Sequence, residues 1–187
     1  TDHMEFPEPS DGSALPIAQA LLAGGIEQQT RPQRHIKVTK PVSWKRGEVE
    51  LSAVPFMGSR LSFTIVYDHA LVGTQSLTLD VNEQTFLEEI APARTFVLER
   101  DLESLRRAGW INGGRLESAV VIGKDHILNP GPLRFPDEFV RHKLLDLLGD
   151  LFLLGGPIQG HVAAVRSGHE GHVAVVKRLK ETLPLPG

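Results

Sequence analysis

Apolar and polar residues alternate over the segment from His35 to Val81, and this alternation restricts the chain to folds with a half-buried sheet. A period of two residues places the apolar side chains of a strand on one face of its sheet. Gly47 and Gly58 stand at the positions of turns. The alternating stretches are residues 36–39, 48–54, 61–67 and 75–81. We therefore predict an antiparallel sheet with helices packed on it as a two-layer sandwich, which is an α+β fold.

Helical and short strand patterns surround this segment. A first helix follows Asp11-Gly12-Ser13 and ends at Gly24-Gly25, and Asn82 is placed to cap a helix that stops near Pro92. The remaining patterns are a helix over 99–108, a strand over 118–122 with residues 127–128 paired back across it, a strand over 159–165 and a closing helix over 172–183.

The composition shifts near Thr30-Arg31-Pro32. We place a domain boundary there, with residues 1–31 as the end of one domain and residues 32–187 as a second.

Composition excludes several classes of protein. The 187 residues carry a net charge of -3 and no basic stripe, which argues against nucleic-acid binding. No cysteine is present, so disulfides, thiolate metal sites and cysteine nucleophiles are ruled out and a metal would need histidine or carboxylate ligands. The apolar run Leu151–Leu154 stops at Gly155-Gly156, far short of a membrane span. We expect a soluble or at most peripheral protein with no integral membrane segment.

One predicted helix, over residues 135–150, carries chemistry-bearing side chains at regular spacing. His142, Asp146 and Asp150 lie four residues apart, so they project from the same side of the helix. Imidazole and carboxylate at this spacing suit zinc. The alternative is a solvated helix face whose charges pair with lysine and arginine. Asp150 favours the functional interpretation, because a carboxylate among buried leucines needs a partner.

His169 is the expected partner of Asp150. It follows a predicted strand and a glycine, where a loop can present an imidazole to a site, and a histidine held by a carboxylate is prepared to act as an acid. A surface-loop histidine is the alternative interpretation. Lys143 lies about 100° around the helix from His142 and either stabilises developing negative charge or is solvated. His161 and His172 are interpreted as structural or solvated.

Several motifs, in order along the chain, resemble the zinc-dependent UDP-3-O-acyl-N-acetylglucosamine deacetylases of lipid A biosynthesis. The segment Asp11–Pro16 is similar to the helix that closes the N-terminal domain of that family. The C-terminal domain of the family is matched by Ala93-Arg94-Thr95-Phe96, Gly113-Gly114, the long run Leu133–Leu151 and Ser167-Gly168-His169. The long run is the most specific of these motifs.

The resemblance implies roles for individual residues. His142 and Asp146 would be two of three Zn²⁺ ligands, and Asp150 would orient His169. Lys143, His169 and Thr95 would contact the substrate or stabilise its oxyanion. An inserted βαβ unit over about 96–128 would enclose a passage for the fatty acyl chain. Its proposed substrate contacts are Phe96, Leu102, Ala119 and Val121, although packing within the insert explains these residues equally well, and Arg166 would touch the nucleotide phosphate or uridine.

The chain departs from the family pattern at its two ends. The third zinc ligand and the general-base glutamate of the family belong to a Thr-x-Glu-His motif that does not occur here, and His3 is not expected to replace that ligand. Most of the N-terminal domain is therefore expected to be missing, and a segment is expected to precede Thr1. After His169, Glu170-Gly171-His172 stands where the family usually has Ala-Leu-Asn.

The expected function is zinc-dependent hydrolysis of the N-acetyl group of a UDP-linked, 3-O-acylated glucosamine by a cytoplasmic protein. Catalysis would be complete only with the missing N-terminal segment, supplied by another chain if not by this one, so little or no activity is expected of the 187 residues alone. An inactive half that serves as a structural or partner-binding domain is the first alternative. A non-catalytic metal-binding module is the second.

Overall fold

A computed structural model of the chain describes residues 11–107 and 118–183. Within these ranges the α+β prediction is confirmed: helices pack on one face of a six-stranded sheet, and a two-stranded sheet stands beside it. Gly113-Gly114 and His3 lie outside the described residues, as do residues 1–10 of the first predicted domain and residues 184–187 of the second.

Six strands of the described residues form the main sheet. They are β1 (Ile36–Lys37), β2 (Val42–Arg46), β3 (Val49–Val54), β4 (Ser59–Val66), β5 (Thr74–Asp80) and β8 (Ile158–Val165). The order across the sheet is β2-β3-β8-β4-β5, and β1 pairs with the beginning of β8. Strand β2 was missed by the sequence pattern because it is an edge strand with little burial.

The prediction of a wholly antiparallel sheet is wrong. Pairs β2–β3, β3–β8 and β4–β5 are antiparallel, but β8 runs parallel to both β4 and β1. The physical reason is the insertion of β8 between β3 and β4, which are neighbours in sequence but not in the sheet. Alternation of apolar residues fixes which face of a strand is buried and says nothing about its partner.

The helices and the small sheet follow the predicted order. They are α1 (Leu15–Ala23), α2 (Glu83–Thr85) continued by a π-helix (Phe86–Ile90), β6 (Phe96–Leu98), a 3₁₀ turn (Glu99–Asp101), α3 (Leu102–Arg107), β7 (Val120–Ile122), α4 (Glu138–Leu151), a 3₁₀ turn (Phe152–Leu154) and α5 (His169–Thr182). Asn82 caps α2 through a capping box. Strands β6 and β7 are parallel with α3 in the connection, so the βαβ unit is confirmed, and Ile127 pairs back onto Ile122.

The core lies between the main sheet and helices α4 and α5. Helix α4 packs over β4 and β5, and α5 packs over β2 and β3. Both layers contribute buried residues to this core, which include Leu51, Leu61, Phe63, Val162, Leu144, Leu147, Val175 and Leu179. Helix α1 differs, because none of its residues is buried and Leu21 is 70% exposed. No helix in the described part of the chain has the length and hydrophobicity that a bilayer crossing requires.

Two glycines provide a matched test of core packing. A Cβ at Gly160 in β8 would lie 2.5 Å from Val38 Cγ2, whereas a Cβ at Gly149 in α4 would meet no atom within 4 Å. Gly160→Ala should therefore lower the free energy of unfolding by about 1–3 kcal/mol through overpacking. Gly149→Ala should raise it by about 0.5–1 kcal/mol, because alanine is the better helix former. Urea unfolding of both variants measures the two signs, and a stabilising change at Gly160 would contradict the packing described.

Candidate active site on helix α4

Four polar residues form one stripe along α4. Glu138, His142, Asp146 and Asp150 follow each other at intervals of four residues. The exposed fractions of their side chains are 0%, 10%, 15% and 19%, so exposure rises from the beginning of the helix to its end. Each of them has a partner outside or along the helix, as described below. The stripe is a polar row in a helix whose other buried residues are all apolar, namely Phe139, Val140, Leu144, Leu147 and Leu151.

Glu138 is the residue of this stripe that the sequence prediction missed. Its carboxylate accepts hydrogen bonds from Arg94 Nε at 2.8 Å and from the backbone N–H groups of Arg94 at 3.0 Å and Arg134 at 2.7 Å. Burial would raise the pKa of Glu138, but these hydrogen bonds outweigh it and hold the pKa below its usual range. The signal was available, because Glu138 stands four residues before His142.

A network of hydrogen bonds extends from Glu138 to the loop before α1. Arg134 donates to Asp11 Oδ2 at 2.6 Å and to Ser13 Oγ at 3.1 Å. The N–H of Thr95 donates to the carbonyl of Gly12 at 2.8 Å. The backbone of residues 93–95 is therefore fixed on one side by α4 and on the other by the loop at residues 11–13.

His142 contacts an oxygen through each of its ring nitrogens. Nδ1 lies 3.1 Å from the carbonyl oxygen of Ala93, to which it donates, and Nε2 lies 3.3 Å from Asp146 Oδ1. A hydrogen bond from Nδ1 to a backbone carbonyl is the usual device that leaves Nε2 available to a metal ion. Nε2 and Oδ1 therefore lie close enough for one ion to contact both atoms.

Asp146 is held in its ionised form. Burial opposes ionisation, but the hydrogen bond with His142 and the charge of Lys143 hold the pKa of Asp146 well below its usual range. Lys143 Nζ donates to Asp146 Oδ2 at 2.7 Å. One carboxylate oxygen therefore faces a cation on the helix surface while the other faces His142.

The spacing of these donor atoms fits zinc. Zn–N and Zn–O bonds are about 2.0–2.2 Å long, so two ligand atoms of one tetrahedral ion lie about 3.4 Å apart. The 3.3 Å between His142 Nε2 and Asp146 Oδ1 agrees with this value. A neutral imidazole and an ionised carboxylate are the chemical forms that bind the ion. His142 and Asp146 thus fit two positions of a zinc site, which needs at least one further protein ligand.

Asp150 contacts two histidines through one oxygen. Its Oδ2 accepts hydrogen bonds from Nδ1 of His169 and from Nδ1 of His172, each at 2.7 Å. The structure therefore brings together Asp150 and His169 as predicted. It also adds His172, which was interpreted as structural or solvated and is fully buried. His169 is the first residue of α5 and not a loop residue as predicted, because Gly168 takes the extended N-cap position.

The three residues Asp150, His169 and His172 also form a group that could hold a metal ion. However, 2.7 Å between an imidazole nitrogen and a carboxylate oxygen is a hydrogen-bond distance and is shorter than the separation of two ligands on one zinc ion. The spacing at His142 and Asp146 fits zinc better. We therefore interpret the group around Asp150 as hydrogen-bonded side chains.

The other predicted substrate contacts lie around this row. Phe96 packs against Phe139 with ring centroids 4.8 Å apart and the ring planes tilted by 52°, and Lys143 Nζ lies 5.8 Å from the centroid of the Phe96 ring. Thr95 precedes Phe96 on the segment fixed by Glu138. Phe96 and Lys143 therefore lie along α4 together with His142.

The remaining predicted contacts are more scattered. Val121 is buried in β7, and Ala119 and Leu102 are half-buried elsewhere in the βαβ unit. Arg166 has a positive φ of 52°, and its guanidinium pairs with Glu48 at 3.2 Å. Two surface cavities, of about 750 and 530 Å³, are lined by none of the predicted site residues. The arrangement of donors on α4, and not cavity size, identifies the candidate site.

Removal of the buried carboxylate tests the role of Glu138 as a support. Glu138→Gln keeps the shape of the side chain but removes its charge beside Arg94, so the free energy of unfolding should fall by about 3 kcal/mol. Glu103→Gln is the matched control, because Glu103 pairs with Arg107 on the surface at 65% exposure and such pairs contribute less than about 1 kcal/mol. Urea unfolding compares the two. Equal small losses would show that Glu138 does not support the site.

The buried His172 predicts a pH dependence of stability. Burial holds the pKa of His172 below its usual range, against the opposing effect of Asp150. In the unfolded chain His172 binds a proton at about pH 6.5, whereas in the folded chain it binds one only at lower pH. The contribution of His172 to the free energy of unfolding is therefore complete above about pH 6.5 and is lost as the pH falls towards the folded pKa. His172→Asn should flatten the fall of Tm between pH 7 and pH 5. If circular dichroism shows the same fall of Tm with pH in wild type and in His172→Asn, His172 is not the source of the pH dependence.

The chain is similar in sequence to a family of known deacetylases. The family model described as LpxC, UDP-3-O-acyl N-acetylglycosamine deacetylase, matches residues 2–181. A UDP-3-O-acyl-N-acetylglucosamine deacetylase from Thermodesulfovibrio yellowstonii is 42% identical over 181 residues, covering 97% of this chain and 61% of the relative. Proteins of the same name from Bdellovibrio bacteriovorus and Acidithiobacillus ferrooxidans are each 41% identical, covering 90% of this chain and 56% of the relative.

The chain thus spans less than two thirds of the length of these curated relatives. The family model nevertheless matches nearly all of it, including the described site on α4. The chain therefore belongs to the LpxC family of UDP-3-O-acyl N-acetylglycosamine deacetylases.

Proposed function

We propose that this chain is the greater part of a zinc-dependent hydrolase that removes the N-acetyl group from UDP-3-O-acyl-N-acetylglucosamine in lipid A biosynthesis. The single observation that carries the proposal is the pair His142 and Asp146, whose facing ligand atoms are separated by 3.3 Å. The relatives that bear the name of this activity are longer than the chain. A third ligand and a general base would come from a segment corresponding to the rest of their length.

His142 and Asp146 would hold Zn²⁺ in this site. When bound, the ion supplies a Lewis acid for the amide carbonyl and lowers the pKa of a water molecule. The contribution of the chain is to fix the two ligands before the ion arrives: Ala93 holds the His142 ring, and Lys143 holds the Asp146 carboxylate. Such preorganisation matters because misplaced ligands bind an ion weakly.

His169 would donate a proton to the leaving amine. Asp150 accepts the Nδ1 proton of His169, so Nε2 is the atom that faces outward to exchange protons. The side chain of His169 is 67% exposed, which leaves it accessible to a substrate. A histidine whose other nitrogen is held by a carboxylate is the arrangement that general acid–base catalysis requires.

Lys143 and Thr95 would contact the substrate beside the ligands. Lys143 carries its positive charge next to Asp146, where it can stabilise an oxyanion that develops on the acetyl group. Thr95 offers a hydroxyl on the segment that also holds His142 through Ala93. Glu138 holds the backbone N–H of Arg94, next to Thr95, whereas Lys143 is carried by α4 itself.

The acyl chain and the nucleotide would contact more distant residues. Phe96, Leu102, Ala119 and Val121 are apolar residues of the βαβ unit and would line a passage for the fatty acyl group. Val121 is almost wholly buried, so its contribution would be to the wall behind that passage. Arg166 would reach the nucleotide phosphate or uridine after release from Glu48.

We retain residues 32–187 as one domain with an insert at about 96–128, and a cytoplasmic location.

Helix α1 offers a surface for the additional segment. Leu21 of α1 is 70% exposed, Ile26 beyond the end of the helix is 74% exposed, and none of the residues of α1 is buried. An apolar helix with no buried face is typical of an element that packs against another part of its protein. This observation also supports the second candidate function, an inactive half that binds a partner. In both cases the occupant would be a segment related to the N-terminal part of the relatives, in cis or in trans.

Complementation distinguishes the two functions. The 187-residue chain alone should release acetate from the UDP-linked substrate at little or no rate. Mixing or fusing it with the N-terminal part of the Thermodesulfovibrio yellowstonii relative, together with zinc, should produce activity. In that complex Asp146→Ala should lower the rate by at least about 100-fold, and His169→Ala by about 10²–10⁴-fold.

His126 provides the control for this experiment. It is a surface histidine that pairs with Asp125 through Nδ1 at 2.7 Å, the same contact that His169 makes with Asp150. His126→Ala should leave the rate unchanged. Deacetylation at enzyme-like rates by the isolated chain would overturn the requirement for a further segment. A folded complex that contains zinc but hydrolyses nothing would favour the partner-binding half.

A further inference from the structure

His172 lies at the centre of the feature that the proposed function leaves unexplained. One oxygen of Asp150 accepts hydrogen bonds from two imidazoles, and only His169 of the two is exposed. His172 has no exposed surface at all. A carboxylate whose sole task was to orient His169 would not need a second, buried donor.

The position of His172 is fixed by packing on every side. Its ring contacts Phe63 edge-on, with centroids 5.9 Å apart, and Phe63 is itself a core residue of β4. Gly171 allows this close approach, because a Cβ there would lie 2.9 Å from Leu51 Cδ1 and 2.5 Å from Ser167 Oγ. The first turn of α5 thus packs closely against the sheet. The His172 ring has no space for a rotamer that would move it away from Asp150.

The protonation of His172 is also fixed. Burial lowers the pKa of His172, so the ring is neutral at pH 7 and carries one N–H group. Nε2 has no hydrogen-bond partner in the described part of the chain, whereas Nδ1 lies 2.7 Å from Asp150 Oδ2. The single proton therefore resides on Nδ1, where it has an acceptor. A buried nitrogen without a hydrogen-bond partner lowers the stability of the fold, so the unpaired Nε2 offsets part of what the Nδ1 hydrogen bond contributes.

We propose that His172 is a positioning residue that fixes the Asp150 carboxylate from inside the core and thereby orients the exposed imidazole of His169. Asp150 stands near the exposed end of α4, and His169 is mostly exposed, so each would lose side-chain freedom by pairing with the other alone. The hydrogen bond from His172 Nδ1 already fixes the Asp150 side chain before His169 pairs with it. The carboxylate then presents a fixed acceptor to His169 Nδ1, and His169 Nε2 points outward. This inference rests on the proposed role of His169 as the acid.

The substitution that separates positioning from packing is His172→Asn. The amide nitrogen of asparagine occupies nearly the place of imidazole Nδ1, so His172→Asn keeps the donor to Asp150 and removes the unpaired Nε2. His172→Leu fills much of the space but has no donor. Phe63→Leu perturbs the packing around His172 and leaves the donor in place. The three variants together distinguish a hydrogen-bonding role from a structural one.

The readout is the tautomer of His169, measured by ¹⁵N nuclear magnetic resonance on the 187-residue chain. A protonated and an unprotonated ring nitrogen resonate far apart, so the fraction of the Nδ1–H form of His169 is read directly. Wild type, His172→Asn and Phe63→Leu should all show mainly the Nδ1–H form. In His172→Leu that fraction should fall at least about two-fold, because free histidine prefers the other tautomer.

Two results would overturn the proposal. One is an unchanged His169 tautomer in His172→Leu, which would make His172 a core residue only. The other needs no variant: if the wild-type spectrum shows His172 protonated on Nε2 and not on Nδ1, the donor to Asp150 does not exist. Neither measurement requires acetate release. A failure of deacetylation in the complemented complex therefore tests the proposed function separately from this inference.

Discussion

The buried carboxylate of Glu138 is the contact on which the geometry of the site depends. It has no exposed surface, yet it accepts hydrogen bonds from one guanidinium and two backbone N–H groups that belong to segments distant in sequence. A buried charge is stable only when it is paired and fully hydrogen-bonded. The segments that carry Arg94 and Arg134 are therefore fixed relative to α4, and Ala93 is brought to the His142 ring.

The polar stripe of α4 combines support and chemistry in one helix. Glu138, at the buried beginning, contacts only structural partners, whereas Asp150, at the more exposed end, contacts His169. His142 and Asp146 lie between these two and form the part of the stripe that fits zinc. A helix is a suitable carrier for such a row, because its hydrogen-bonded backbone keeps the intervals between the side chains constant.

The sequence predicted those features that depend on local spacing. The α+β class, the Asn82 cap and the pairing of Asp150 with His169 follow from periodicity and spacing, whereas the βαβ unit is what the family resemblance implied. The structure confirms all four. It could not predict the position of β8, because partner choice in a sheet depends on contacts across more than 90 residues. The role of Glu138 was missed although its spacing fits, because its partners come from other segments. His172 was missed for the same reason.

The central position of β8 has a consequence for how the protein forms. The strand enters between two hairpins, β2–β3 and β4–β5, that are complete more than 75 residues earlier in the chain. Until residue 165 has been synthesised, each hairpin keeps an unpaired edge on the side where β8 will lie, and such edges are prone to pair with other chains. Sequence separations of this size also slow folding. The last strand thus closes the sheet, and only then can α5 bring His169 to Asp150.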